Sequence, residues 1–145
     1  MKTILSVDDG EDDAYLLHRA LQYVQTKCNL ESVPSAAAAM EYLSGTGPFA
    51  DRYEHPLPSI ILLDIKMPDT NGFELLRWIR SKPEFKSIPV IMLTCSEAAV
   101  DIEHAYEIGA NSYLVKSLDF QNLKQDLPLF MHYWLDLNQT PESDQ

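Results

Sequence analysis

The chain has 145 residues, 46% of them apolar, which favours one domain around one core and argues against disorder. Eleven Lys and Arg stand against 22 Asp and Glu, and the net charge of −11 repels phosphate backbones and anionic lipid, so no nucleic acid and no membrane surface is expected as a partner. No apolar run approaches the roughly 20 residues of a membrane span, acids follow the short apolar start too closely for a signal peptide, and two scattered cysteines, Cys28 and Cys95, read as reduced thiols of a cytoplasmic protein.

The first expected element is a strand, KTILSV (2–7), which runs into Asp8 and Asp9. A helix over about 12–26 would put Leu17, Leu21 and Val24 on one stripe. NLESV (29–33) is a weak strand pattern placed mainly by its position, and SAAAAMEYL begins an alanine-rich helix over 35–44. The next stretch, SGTGPFADRYEHPLPS (44–59), is a long polar connection, either a functional surface loop or a tolerated insertion. IILLD (60–64) is a strand that ends on Asp64, and a helix over 72–81 carries Phe73, Leu76 and Ile79. VIMLT (90–94) leads to a helix over 97–108 that stops at Gly109. SYLV (112–115) runs into Lys116, and a fifth helix starts near Asp119, a natural N-cap. Pro128 should kink or restart that helix. Phe130, Met131, Tyr133, Trp134 and Leu135 then form a dense aromatic and apolar cluster.

Alternating strands and helices predict an α/β domain: a doubly wound five-stranded parallel sheet of flavodoxin-like order 2-1-3-4-5, with helices on both faces. Residues 1–137 form this single domain, and 138–145 form a polar flexible tail. The four histidines (His18, His55, His104 and His132) lack metal-ligand spacing.

Ligands of such sheets bind beyond the carboxyl ends of the strands, where strand order reverses. Neighbouring strands are about 4.8 Å apart, so Asp8 or Asp9 should stand close to Asp64. Two carboxylates at that distance repel by roughly 4 kcal/mol at an effective dielectric near 20. Lys116 supplies one counter-charge, and a divalent cation would supply two more. Hard oxygen donors without His or thiolate favour Mg²⁺ over zinc. These parts suit phosphoryl transfer, with Asp64 as nucleophile and Thr94 and Lys116 bonding phosphoryl oxygens. Singly, each residue has an ordinary reading, as a cap, a turn or solvated surface. Their joint placement at four strand ends is what argues for a site.

The segments SVDDGEDD, IILLDIKMPDTNGFELLRWIR, IPVIMLTCS and EIGANSYLVK, in this order and spacing, resemble the receiver domain of two-component response regulators over roughly residues 2–127. Further details, EDDAYLL, the 44–59 connection and VKSLDF, resemble the single-domain regulators associated with phytochromes. The resemblance implies that Asp64 is the phosphoacceptor. It implies that Asp8, Asp9, Asp64 and the backbone carbonyl of Lys66 hold Mg²⁺, or Mn²⁺ in its place. Thr94 and Lys116 would grip the phosphoryl group, and Tyr113 would turn inward when Thr94 moves. Met67, Pro68 and Gly72 would shape the loop beyond the acceptor, Cys95 would leave space beside the phosphate, and Lys66 and Ser96 would modulate dephosphorylation.

Two positions depart from the family pattern. Ser117 follows Lys116 where proline is usual, which leaves cis or trans open for that peptide. Pro128 interrupts the fifth helix. The acids of EDD after Asp9 read chiefly as favourable charge at a helix start.

The implied function is a phosphoacceptor switch rather than an enzyme, phosphorylated by a partner sensor histidine kinase of phytochrome type and read out by protein–protein contact. A homodimer through Phe130, Tyr133 and Trp134 is a further expectation, against the ordinary one that these rings pack back on the domain. A phosphorylation-independent scaffold is the alternative. An aspartyl-phosphate phosphatase is the weaker rival, since Lys66 stands where such enzymes place a second acid, and no P-loop motif is present.

Overall fold

Strands here are apolar on both faces because both faces are covered. The computed structural model describes residues 1–116 and 120–141. Its elements are β1 (Lys2–Val7), α1 (Glu11–Leu21), β2 (Cys28–Val33), α2 (Ala36–Ser44), β3 (Ile60–Leu63), α3 (Gly72–Ser81), β4 (Val90–Thr94), α4 (Ala99–Ile108), β5 (Ser112–Val115) and α5 (Phe120–Met131). The five strands are all parallel, in the order β2-β1-β3-β4-β5.

Side chains alternate across a strand with period two, and the core divides accordingly. Leu5, Val7, Ile61, Leu63 and Met92 meet α2, α3 and α4 through Ala39, Leu43, Leu75, Leu76 and Ala105. Ile4, Ile60, Leu62 and Ile91 meet α1 and α5 through Leu17, Ala20, Leu127 and Met131. All four residues of β3 are buried, so the strand that delivers Asp64 sits at the centre of both layers.

The expected elements are present, with three changes. α1 ends at Leu21, short of 26, because Gln22, Tyr23 and Val24 turn their N–H groups to the carbonyls three residues back, at 3.2, 3.1 and 3.1 Å. α4 begins at Ala99, with Ala98 as its cap, two residues later than expected. Pro128 lies inside α5 and does not restart it. The helix instead widens beyond Met131 into a π-helical segment, His132–Leu137, where Asn138 N–H reaches the Tyr133 carbonyl at 2.7 Å. The expected cap Asp119 and the Lys116–Ser117 peptide lie outside the described residues, as do residues 142–145 of the expected tail.

The 45–59 connection is tied down. Arg52 donates to the carbonyls of Tyr42 (2.7 Å), His55 (3.1 Å) and Leu43, and buried Tyr42 donates to the Pro56 carbonyl at 2.8 Å. At the amino end of β4 and β5, Arg80 is a second staple. It donates to the carbonyls of Gly109 (2.8 Å), Lys86 (3.0 Å) and Ile88 (2.9 Å) and to Asn111 Oδ1 (2.7 Å), and Asn111 Oδ1 also accepts from Val90 N–H at 2.8 Å.

Candidate functional site

The register of β1 on β3 pairs Val7 with Leu63, so Asp8 and Asp64 leave adjacent strands side by side. Both are anchored by main chain. Asp8 N–H bonds the Val33 carbonyl and Asp64 N–H bonds the Val7 carbonyl, each at 3.1 Å. Two strands away, Thr94 pairs with Val115, and Lys116 N–H bonds the Thr94 carbonyl at 2.7 Å. The lysine side chain is thereby aimed back across the carboxyl ends of β4, β3 and β1.

The Lys116 ammonium donates to Asp64 Oδ2 at 2.9 Å, to Asp13 Oδ2 at 2.9 Å and to Asp8 Oδ2. Its side chain is 8% exposed, and those of Asp8 and Asp64 are 10% and 12% exposed. Burial alone would lower the lysine, but its bonds to Asp8, Asp64 and Asp13 outweigh that, and the ammonium is held well above its usual range. Burial raises Asp8 despite the bonds it accepts from Lys116 and from Gly10 N–H. Three carboxylates around one ammonium leave two negative charges over.

The loop after β3 is fixed close to the site. Gly72 N–H bonds the Ile65 carbonyl at 2.6 Å, and a Cβ at position 72 would stand 2.2 Å from the Asp64 carbonyl oxygen, so only glycine fits. Asp69, in the same loop, accepts from Ala36 N–H (3.2 Å) and Ala37 N–H (2.9 Å), which ties the loop to the start of α2. These amides hold the Asp69 carboxyl below its ordinary range. Lys66 is exposed, as is Met67's neighbour Pro68.

Of the expected residues, Asp8, Asp64 and Lys116 come together directly, and buried Thr94 lies on the adjoining strand end. Asp9 is exposed beside Asp8, and Cys95 is exposed after Thr94. Tyr113 is half-buried, and its hydroxyl donates to the Ser96 carbonyl at 2.9 Å. Ser96 in turn donates to Asp101 Oδ2 at 2.6 Å. Asp13 is the member whose role the sequence reading missed: it stood among three acids near the site that could tune metal affinity or repel a partner, and was read chiefly as helix-start charge. The available signal was its position in the first turn of a helix that starts at the switch point.

The donor set suits a hard divalent cation, since Asp8 and Asp64 present carboxylate oxygens to one point and the charge left over is that of such an ion. Among the described residues, no group of three or more His, Cys, Asp or Glu is spaced to grip a metal alone. Lys116 occupies the centre on which the acids converge. No helix among them is long and apolar enough to cross a membrane.

The terminal aromatics divide between core and surface. Phe130 and Trp134 pack partly against the core around Leu127, Met131 and Leu135, as the ordinary expectation had it. Tyr133 is 49% exposed and shares a four-residue spacing with Leu129 (73%) and Leu137 (57%). The exposed apolar stripe is therefore Leu129, Tyr133 and Leu137, with Phe130 and Trp134 behind it.

Comparison with known proteins bears on the family and the fold. The family model of the response regulator receiver domain matches residues 4–128. The chain is 34% identical to the probable methanogenesis regulatory protein FilR2 of Methanothrix harundinacea, over 95% of this chain and 86% of that protein. It is 33% identical to the response regulator Rcp1 of Synechocystis, over 93% of this chain and 90% of that protein. Rcp1 has been solved in a Mn²⁺-bound form, which superposes with a TM-score of 0.86 at 32% identity and covers 98% of this chain and 100% of that one. The phosphorylated cyanobacterial phytochrome response regulator RcpA superposes with a TM-score of 0.88 at 33% identity, covering 97% of this chain and 99% of that one.

Proposed function

The chain belongs to the response regulator receiver domain family, and from that premise we propose that it is a phosphoacceptor switch acting through Asp64. Receivers of this family are signalling proteins that work with sensor histidine kinases. The observation that carries the proposal is the single ammonium of Lys116 shared by the strand-end acids Asp8 and Asp64 with Asp13.

In this reading an Asp64 carboxylate oxygen attacks the phosphorus of a kinase phosphohistidine. The O–P bond forms, the P–N bond breaks, and the imidazole leaves with the electron pair. Lys116 and the Thr94 hydroxyl donate to phosphoryl oxygens and so stabilise the charge that develops there. A divalent ion, Mg²⁺ or Mn²⁺, held by Asp8, Asp9, Asp64 and the Lys66 carbonyl, supplies neutralisation of the transferring group when bound. Lys66 and Ser96 flank the site and would tune the return reaction, in which water releases phosphate from Asp64.

The readout is protein–protein contact over the α4-β5-α5 face, within a unit spanning residues 1–137 and working in the cytoplasm. Tyr113 reports the change to that face. A phytochrome-type kinase is the proposed donor because the relative RcpA is a phytochrome response regulator. The exposed stripe Leu129, Tyr133 and Leu137, backed by Phe130 and Trp134, supports a homodimer. Sedimentation at micromolar concentration tests the dimer, and a strict monomer with and without a phosphoryl mimic removes it.

The alternative reading is a phosphorylation-independent scaffold. Acetyl phosphate with Mg²⁺, read by intact mass, separates the two. The switch reading expects one added phosphoryl group on the parent and none on Asp64→Asn. If the two proteins gain mass alike, or neither gains any, the reading fails.

A further inference from the structure

A lysine ammonium has three N–H donors and no acceptor, and at Lys116 each of the three finds a carboxylate. The phosphoacceptor reading, on which this inference rests, uses two of those acids. Asp64 takes the phosphoryl group and Asp8 faces the divalent ion, whereas Asp13 does neither.

Asp13 arrives from a different element, the first turn of α1. It reaches the site past a residue without a side chain. A Cβ at Gly10 would stand 3.0 Å from Asp13 Oδ2 and 3.4 Å from Asp8 Oδ1. Asp13 is also the partner on the solvent side, with a side chain 35% exposed against 8% for Lys116. A small cavity of about 30 Å³ adjoins the same lysine among Leu16, Leu17, Leu93 and Leu123, which gives its stem room to re-seat.

We propose that Asp13 is a positioning residue that holds Lys116 in the phosphate-free protein and competes with the phosphoryl group for its ammonium. A phosphoryl group on Asp64 needs a donor from Lys116, and in this structure each of the three is bonded to a carboxylate. Asp13 is the carboxylate that gives way, because it is the most exposed and water replaces the lost bond at least cost. The negative charge of Asp13 thus opposes phosphoryl binding through Lys116, from outside the metal and acceptor set.

The test measures BeF₃⁻, a phosphoryl mimic, by ¹⁹F NMR at saturating Mg²⁺. The proteins are the parent, Asp13→Asn, Lys116→Ala and the double variant, with circular dichroism confirming that each is folded. Asp13→Asn should tighten BeF₃⁻ by about three- to fivefold, the size of a half-exposed ion pair. That gain should vanish when Lys116 is alanine, a coupling that a merely structural role would not produce. In the ligand-free parent, the ¹⁵N signal of the Lys116 ammonium should be protected from exchange, and Asp13→Asn should weaken that protection.

Unchanged or weaker BeF₃⁻ binding by Asp13→Asn overturns the proposal. So does a gain that persists in the Lys116→Ala background, or an ammonium signal indifferent to residue 13. If the parent itself binds no BeF₃⁻, the phosphoacceptor reading fails and this inference falls with it. That outcome appears in the parent and is distinct from a failure confined to the variant.

Discussion

Two half-buried cations sit at opposite ends of this sheet, and their surroundings differ in kind. Arg80, at the amino end of β4 and β5, donates to three main-chain carbonyls and the amide oxygen of Asn111, all neutral. Lys116, at the carboxyl end, is held by three carboxylates. A guanidinium's fixed fork can be satisfied by neutral dipoles, and the corner it closes needs nothing more. The lysine cluster balances only one of three negative charges and is complete only with a further cation. The same class of side chain is thus a staple at one end and part of the proposed phosphoacceptor site at the other.

That contrast can be broken by mutation. The largest effect is expected from Arg80→Ala, which removes four hydrogen bonds at once, three of them to main-chain carbonyls, and should cost about 2–4 kcal/mol in urea unfolding. Mg²⁺ binding by the folded variant should be unchanged, and a parallel loss of binding would mean that the two ends are not separable. Next comes Gly72→Ala. Its Cβ would meet the Asp64 carbonyl oxygen at 2.2 Å, so it should cost roughly 1–3 kcal/mol and also impair phosphorylation by acetyl phosphate. A variant that loses stability alone would show that the loop can shift without moving Asp64.

The carboxyl end should respond to charge with the opposite sign. Burial raises the Asp8 carboxyl above its ordinary value, so protonation favours the folded state. That contribution is fully present below the unfolded pKa and is lost as pH rises through the folded one. Asp8→Asn should therefore be more stable than the parent at pH 7, by on the order of 1 kcal/mol, and the difference should disappear near about pH 4. Thermal melts at both pH values check this, and a destabilised Asp8→Asn would mean that the Lys116 bond outweighs burial.

The smallest effect is expected at Asp69, an exposed carboxylate lowered by bonds from Ala37 and Ala36 N–H groups. Its stabilisation is present above the unfolded value of 3.8 and is lost as pH falls through the lower folded pKa. Asp69→Ala should cost about 0.5–1 kcal/mol at neutral pH, the scale of a helix cap. A larger loss would indicate that the tie from the site loop to α2 does more than cap a helix.

Much of this arrangement was legible from sequence, for identifiable reasons. β1, β3 and β4 are apolar runs bounded by polar residues. Asp8, Asp64 and Thr94 follow from where those runs stop, and Lys116 from where SYLV (112–115) stops. Asp13 did not, because its partner lies 103 residues away and the local reading of an acid in a first helical turn is sufficient by itself. At Pro128 the expected restart does not occur, for a related reason. The local rule says kink or restart, and Leu127, Met131 and Leu135 bury on one side of the helix and carry it past the proline. The 44–59 connection read as a long polar loop, and its anchoring was not legible because Arg52 bonds to main-chain carbonyls that composition does not reveal.

The central claim is that the carboxyl end of the sheet is electrostatically incomplete and the amino end is not. A calorimetric Mg²⁺ titration of the parent, Asp8→Asn and Arg80→Gln tests it most directly. The account predicts one saturable site in the parent, retained in Arg80→Gln and lost or severely weakened in Asp8→Asn. A parent without saturable binding, or binding that survives in Asp8→Asn undiminished, would contradict it.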